Sequence, residues 1–282
     1  SETAVIEISR LFQQAGVHVD VFAQPGDREG IIDGVGWWNY RRYRTDMPSE
    51  IFVAWRHPEM GKEKPKARQK LLWAHDLNYK DAITEEISNG FDKILGVSQW
   101  HRDYLLRQYP FLVGKAEYVH NGINLARFDS SRSLSGSGRQ KHKCVYSSSP
   151  DRGLLQLLRM WHKNVINLDL TPKPELHIFY GWENFDFVIR TRSPELQKMK
   201  DTIMELTKHE SIKWRGRLPQ NELAKEMLSA EVWTYPTAFL EVFCITAVEA
   251  MAAGLVAVTS ELGSLPEVLG PVGFQVPGKL GS

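Results

Sequence analysis

Cysteine is scarce in this chain, with Cys144 and Cys244 the only two thiols among 282 residues. Neither stands in a C-x-x-C pair or a His-rich spacing, so neither a disulfide framework nor a zinc site is expected, and a reducing, cytoplasmic setting fits best. No run of 18 apolar residues occurs, and the opening "SETAVIEISR" lacks the basic head and apolar middle of a signal peptide. A soluble chain is expected. An excess of charge of one sign is lacking too: 35 Lys and Arg stand against 34 Asp and Glu. That balance gives no reason to expect nucleic acid or an anionic membrane as an obligatory partner, so anion binding has to be local; peripheral membrane contact stays open. No sequence repeat links the two halves.

Apolar residues are plentiful, at 42% of the chain, more than one compact core needs at this length, so two domains are expected. Aromatic residues are plentiful as well, and several fall in the loop-like segment "GVGWWNYRRYR", where exposed rings could face a sugar or simply pack.

Residues 2 to 15 carry apolar positions at Ala4, Val5, Ile8, Leu11 and Phe12, a helical spacing, and "VHVDVFAQ" after them alternates like a strand. Short β-rich runs follow at 50 to 55, 70 to 76, 93 to 98 and 116 to 122, with a helix at 99 to 109. Residues 130 to 143 are polar, basic and Ser/Gly-rich, which is linker composition. The expected division is therefore a first domain over 1–133, a linker over 134–143 and a second domain over 144–282. In the second, strands begin at 144, 175, 211, 231 and 255, with helices at 152 to 163, 194 to 208, 220 to 229 and 244 to 253. Strands alternating with helices imply parallel sheets covered on both faces, with ligands gathering at the carboxyl ends of the strands. Two such lobes make a cleft where a small molecule can bind.

Three turns in the second half carry chemistry. In "YSSSPDRGLLQLL" a strand runs out into Ser148 and Ser149 and a helix opens near Arg152 and Gly153, so hydroxyls, helix amides and a guanidinium could converge on an anion. Plain capping by Ser149 or Asp151 is the alternative. In "SIKWRGRLPQ" a strand ends at a Gly turn beside Arg217, a shape that lets backbone groups meet a flat ring such as a base, or that is ordinary punctuation. In "FLEVFCITAVEAMAAG", Glu241 lies in a loop and Glu249 more than one turn inside a small-residue helix closed by Gly254. Eight helical positions span at most about 12 Å. Between the acids lie the first amides of the helix, which favour a diphosphate, while carboxylates accept hydroxyl hydrogens at either end. A nucleotide sugar has that shape. Glu249 could instead pair with a basic residue such as Arg152, and Glu241 could be exposed.

With these residues assembled, the chain resembles the retaining glycosyltransferases of the family-four group. "PTAFLEVFCITAVEAMAAGLVAVTSELGSLPEV" is similar to that family's Glu-x7-Glu block and the Gly-x-x-Pro-Glu segment after it. "VHNGINLARF", which contains Asn121, resembles its Asn-Gly signature, and "GVSQWHRDYLL" its strand-Ser-helix element. The resemblance implies an α/β fold of the GT-B type, with two Rossmann-like doubly wound domains facing a central cleft. It implies that Glu241 contacts the transferred sugar, that Glu249 holds the nucleotide ribose, and that Val242, Phe243 and Cys244 present amides to the donor phosphates. Arg152 stands where many relatives have the basic contact to the diphosphate, and His75 in "WAHDL" where an imidazole reaches the donor sugar. Relatives carry Gly-Phe-Gly where this chain has Val242-Phe243-Cys244, and an upstream arginine where it has "SSS". The resemblance also implies that a first strand with its glycine turn, and the closing helices, are absent from this chain.

The implied activity is transfer of a sugar from a UDP- or GDP-sugar to an acceptor hydroxyl with retention of configuration. The leaving phosphate takes the acceptor proton, and no metal or other cofactor is required. The acceptor, whether a glycan, a lipid or a small molecule, is not identified. A sugar-nucleotide 2-epimerase of the same fold and a nucleotide-binding protein without activity are the alternatives.

Overall fold

The computed structural model describes residues 2–129, 138–191, 193 and 195–277. The chain separates into two compact units, Ser1–Gly122 and Ile123–Ser282.

The first unit opens with α1 (Glu2–Gln14), followed by β1 (Asp20–Ala23), β2 (Gly30–Ile32) and β3 (Val35–Asn39). These strands form a small sheet in the order β1-β3-β2, with β1 parallel and β2 antiparallel to β3. The hairpin was expected as loop. Its turn is the Asp33-Gly34 pair, both at positive φ, a strong two-residue hairpin signal between apolar flanks. Then come β4 (Ser49–Trp55), β5 (Ala67–Trp73), α2 (Glu85–Ser88), β6 (Lys93–Gly96), α3 (Gln99–Gln108) and β7 (Ala116–Tyr118). The four strands are parallel and in sequential order. The unit thus holds two sheets, where a single parallel one was expected. Ser98 caps α3 by accepting the His101 amide at 2.9 Å, as the strand-Ser-helix reading requires. Ala54, Leu72, Ile94, Leu105 and Leu112 make the core between sheet and helices.

The second unit runs through α4 (Ala126–Asp129), β8 (Lys143–Tyr146), α5 (Leu154–Met160), β9 (Glu175–Ile178), α6 (Glu183–Thr191) and α7 (Leu196–Leu206). It continues with β10 (Ile212–Trp214), α8 (Gln220–Leu228), β11 (Val232–Tyr235), α9 (Ile245–Ala252), β12 (Val256–Glu261), α10 (Leu265–Leu269) and β13 (Phe274–Pro277). Six parallel strands lie in the order β10-β9-β8-β11-β12-β13. The chain therefore builds outward from β8 to β10, then crosses back to β11 and builds the other way. The reversal falls between β8 and β11, and in open parallel sheets the loops leaving the carboxyl ends at such a reversal are where ligands bind. Both faces are buried, so the strands read as nearly continuous apolar runs, "CVY" and "VWTY" among them. Ala247 and Ala250 let α9 approach the sheet closely.

Part of the expected linker, residues 134–137, lies outside the described residues. The described part is docked: Arg139 donates to the carbonyls of Ala230 at 2.6 Å and Ala253 at 2.7 Å, just past the C-termini of α8 and α9. A cation there satisfies carbonyls left over by the helices and opposes their dipoles. The Gln140 amide adds a bond to the Ser229 carbonyl at 2.8 Å. No helix among the described residues is long and apolar enough to cross a membrane.

Candidate active site

The site is built from the two chain segments that leave β8 and β11. After β8, the phenol of the wholly buried Tyr146 donates toward the carbonyls of Ser149 (2.8 Å) and Arg152 (3.2 Å), which ties the turn down from beneath. The Arg152 amide closes the turn onto the Ser149 carbonyl at 2.9 Å. Ser148 and Ser149 are half-buried, and Ser147 Oγ is buried with no partner among the described residues. Gly153 follows at φ +99°, where an added Cβ would stand 2.8 Å from the Pro236 carbonyl carbon. A side chain there would push the two segments apart.

After β11, Pro236 ends the strand and Thr237 organises the loop, its hydroxyl accepting the Phe239 amide at 3.0 Å. The loop carries Glu241 inward to 4% exposure. Arg152 Nη1 donates to Glu241 Oε1 at 2.9 Å, and the Tyr235 phenol donates to the same oxygen. The guanidinium lies 4.1 Å above the centroid of the Phe239 ring, a cation–π contact. Burial works against the charge on Arg152, yet the neighbouring Glu241 carboxylate overrides it and holds the guanidinium protonated beyond its usual range. The sequence offers Glu249 as a partner for Arg152 and exposure for Glu241; the structure pairs Arg152 with Glu241 instead, so Glu241 is neither exposed nor alone.

The Glu241 backbone is held from the opposite side. Its carbonyl accepts the Ser264 amide at 2.8 Å. Gly263, at φ +61°, packs so closely that an added Cβ would lie 2.7 Å from the Glu241 amide nitrogen and closer to its carbonyl oxygen. This gives physical meaning to the glycine of the Gly-x-x-Pro-Glu segment. Gly263→Ala is expected to lower unfolding stability by about 1–3 kcal/mol through strain at positive φ and displacement of Glu241. An unchanged urea midpoint would show that the contact gives way freely.

Glu249 differs from Glu241 in every respect. It is half-buried on α9, and its carboxylate makes no hydrogen bond or ion pair among the described residues. Burial pushes its carboxyl up to about 7, against the pull of the Arg127 charge. Between the acids, Val242 is half-buried while Phe243 and Cys244 are buried. Cys244 caps α9 with extended backbone, and burial holds its thiol well above the ordinary range. None of the three has a positive φ, so the backbone does not demand the glycines found in relatives.

The remaining candidates belong to other segments of the chain. Arg217 is exposed after β10, beside Tyr180, Gly181 and Glu183 and two strands away from β8. His75 and Asn121 belong to the first unit. His75 follows β5 and packs edge-on against Trp73, ring centroids 4.6 Å apart. Burial, helped by the Arg56 charge, pulls its imidazole down to about 3, so it is neutral at physiological pH. Its Nε2 is buried without a partner among the described residues, as is Asn121 Oδ1. The residues that sequence reasoning missed are Tyr235, Phe239 and Gly263; only Gly263 had a signal, as part of a named motif.

Residues 144–274 match the family model described as glycosyl transferases group 1. A 71-residue stretch is 44% identical to the MMP alpha-(1->4)-mannosyltransferase of Mycolicibacterium hassiacum, covering 25% of this chain and 17% of that protein. Sucrose-phosphate synthase from Thermosynechococcus elongatus superposes with a TM-score of 0.72 at 18% identity, over 97% of this chain and 79% of its own. A glycosyltransferase from Rickettsia africae gives 0.69 at 13% identity, over 99% of this chain and 81% of its own. Anabaena HepE in complex with UDP and glucose gives 0.58 at 16% identity, over 82% and 65% respectively. These likenesses identify the α/β fold as the GT-B type.

Proposed function

We propose that this chain, whose residues 144–274 carry the match to the glycosyl transferases group 1 family, moves a sugar from a nucleotide-sugar donor to an acceptor hydroxyl with retained configuration. The observation that carries the reading is the contrast between two acids on either side of the start of α9. Glu241 is buried and clamped to Arg152, whereas the Glu249 carboxylate makes no hydrogen bond or ion pair among the described residues. An unengaged carboxylate suits a ribose diol, and a clamped one suits a sugar that has to be held in one orientation. Arg152, with the first amides of α9, would meet the diphosphate and stabilise the negative charge that grows on it as the glycosidic bond breaks. The leaving phosphate would then take the acceptor proton. His75 of the first unit is proposed as a neutral sugar-contacting group. The HepE structure, similar in fold, holds UDP and glucose, which supports a nucleotide-sugar donor.

The test is a thermal-shift panel of nucleotide sugars followed by product analysis with acceptors. A donor that raises the unfolding temperature and yields a retained glycoside supports the reading, and the absence of any stabilising nucleotide rejects it.

Glu249 adds a pH signature. Its folded carboxyl is raised to about 7, so the folded state keeps a proton that the unfolded chain has lost. Its contribution to stability is present at acid pH and fades as pH rises through about 7. Glu249→Gln is expected to remove that loss, so the variant overtakes the parent in thermal midpoint near pH 8. Donation by ribose hydroxyls favours the ionised form, so parent affinity for a nucleoside diphosphate, relative to the Gln variant, should rise about tenfold from pH 6 to 8. A pH-independent ratio in calorimetry would remove Glu249 from the ribose.

A further inference from the structure

Tyr235 closes β11 at a position with no exposure, between the rings of Trp233 and Tyr146, whose centroids lie 5.4 Å and 6.1 Å away. A phenylalanine would fill that space without burying a hydroxyl, so the hydroxyl has to be understood from what it binds. It donates to Glu241 Oε1, the oxygen already taken by Arg152 Nη1 at 2.9 Å. Both donors thus sit on one carboxylate oxygen, and Oε2 is left as the acceptor not engaged among the described residues. Burial first, and then the Glu241 charge, keep the phenol well above its ordinary range, so it remains a donor at every working pH.

Each constraint on Glu241 removes a different freedom. Gly263 and Ser264 fix the backbone, Arg152 supplies the counter-charge and Tyr235 fixes the side-chain torsion from the core side. Arg152 alone could not fix that torsion, because its own side chain is about a third exposed and has to accommodate a diphosphate. The strand-borne phenol has no such freedom. We propose that Tyr235 is a positioning residue for glycosyl transfer: it locks Glu241 through Oε1 so that Oε2 alone receives a hydroxyl of the transferred sugar. This rests on the nucleotide-sugar reading of the site. It adds that sugar engagement depends on a buried hydroxyl that touches neither nucleotide nor sugar.

The experiment is Tyr235→Phe in the full chain, compared with Glu241→Gln and the double variant. The expected result is a fall in kcat of about 10- to 100-fold, since a slight misplacement of a reacting group costs about that much, with UDP or GDP affinity unchanged within about twofold. The double variant should be no slower than Glu241→Gln alone, because the phenol acts only through the carboxylate that Glu241→Gln has already removed. In the ligand-free protein, the Glu241 carboxyl carbon resonance, assigned by its loss in Glu241→Gln, should move in Tyr235→Phe. An unchanged kcat in Tyr235→Phe overturns the inference, as does a parallel loss of kcat, nucleotide affinity and thermal midpoint, which is what lost packing alone would give. An unmoved resonance overturns it too. A parent that binds no nucleotide sugar rejects the reading of the site instead, and the resonance then decides the lock by itself.

Discussion

Glu241→Gln is expected to reduce turnover of a nucleotide sugar by about two to three orders of magnitude, the size of effect seen when one preorganised group is removed from a developing charge. The amide keeps the volume and still accepts the Tyr235 hydroxyl, so the fold should survive. What disappears is the negative charge beside Arg152. The consequence for binding runs opposite to that for turnover. In the ligand-free site Arg152 is committed to Glu241, and a diphosphate has to share or displace that pairing. Neutralising Glu241 releases the guanidinium, so affinity for UDP or GDP should improve by about threefold to tenfold while kcat collapses, the magnitude expected when one ion pair no longer competes. Calorimetry and single-turnover kinetics on the same preparation separate the two. A loss of nucleotide affinity along with turnover would place Glu241 on the nucleotide instead of on the sugar.

Much of the second unit was legible because its strands and helices announce themselves locally. The "VWTYP" strand, the small-residue helix after it and the acid embedded there could be read from composition and spacing, and the half-burial of Glu249 on α9 agrees with that reading. The partnership of Arg152 with Glu241 was not legible. The two residues are 89 positions apart, and only the reversal of strand order between β8 and β11 makes their loops neighbours. No periodicity encodes strand order. Tyr235 was hidden for a different reason: a tyrosine among buried aromatics reads as core, and its hydroxyl acquires meaning only once an acceptor is placed beside it.

In the first unit, the Asp33-Gly34 turn was a local signal passed over because the segment's aromatic and basic residues suggested a loop. α6 was missed because "ENFDFVIRT" is rich in β-branched and aromatic residues, and its amphipathic packing overrides weak helix propensity. The Ser/Gly-rich stretch before β8 shows the converse error. Composition suggested a flexible linker, but a single long side chain, Arg139, anchors its described end to two helix termini.

Arg152→Met should have the largest effect on donor binding. Methionine keeps a long apolar stem over Phe239 and removes the charge and every donor. Affinity for UDP or GDP is expected to fall by about 30- to 100-fold, as when a charge-assisted hydrogen bond to an anion is lost. The salt dependence of binding should flatten as well, because a screened attraction has gone. Arg152→Lys tests geometry separately from charge. An ammonium restores the attraction but lacks the planar stack on Phe239 and the forked donors that engage Glu241 and phosphate together, so it should recover affinity only in part. Removal of Arg152 also strips Glu241 of its counter-charge and leaves the Tyr235 hydroxyl as the remaining side-chain donor to it among the described residues. Stability should therefore drop by about 3 kcal/mol, the lower end of the range for removing one partner of a buried pair, since the Arg152 side chain is about a third exposed. Combining Arg152→Met with Glu241→Gln discriminates further. If the acid acts on nucleotide affinity only by occupying the arginine, the affinity gained in Glu241→Gln must vanish once Arg152 is methionine, and part of the lost stability must return. A gain that persisted in the double variant would mean that Glu241 repels the diphosphate directly, and the clamp would then be incidental to donor binding.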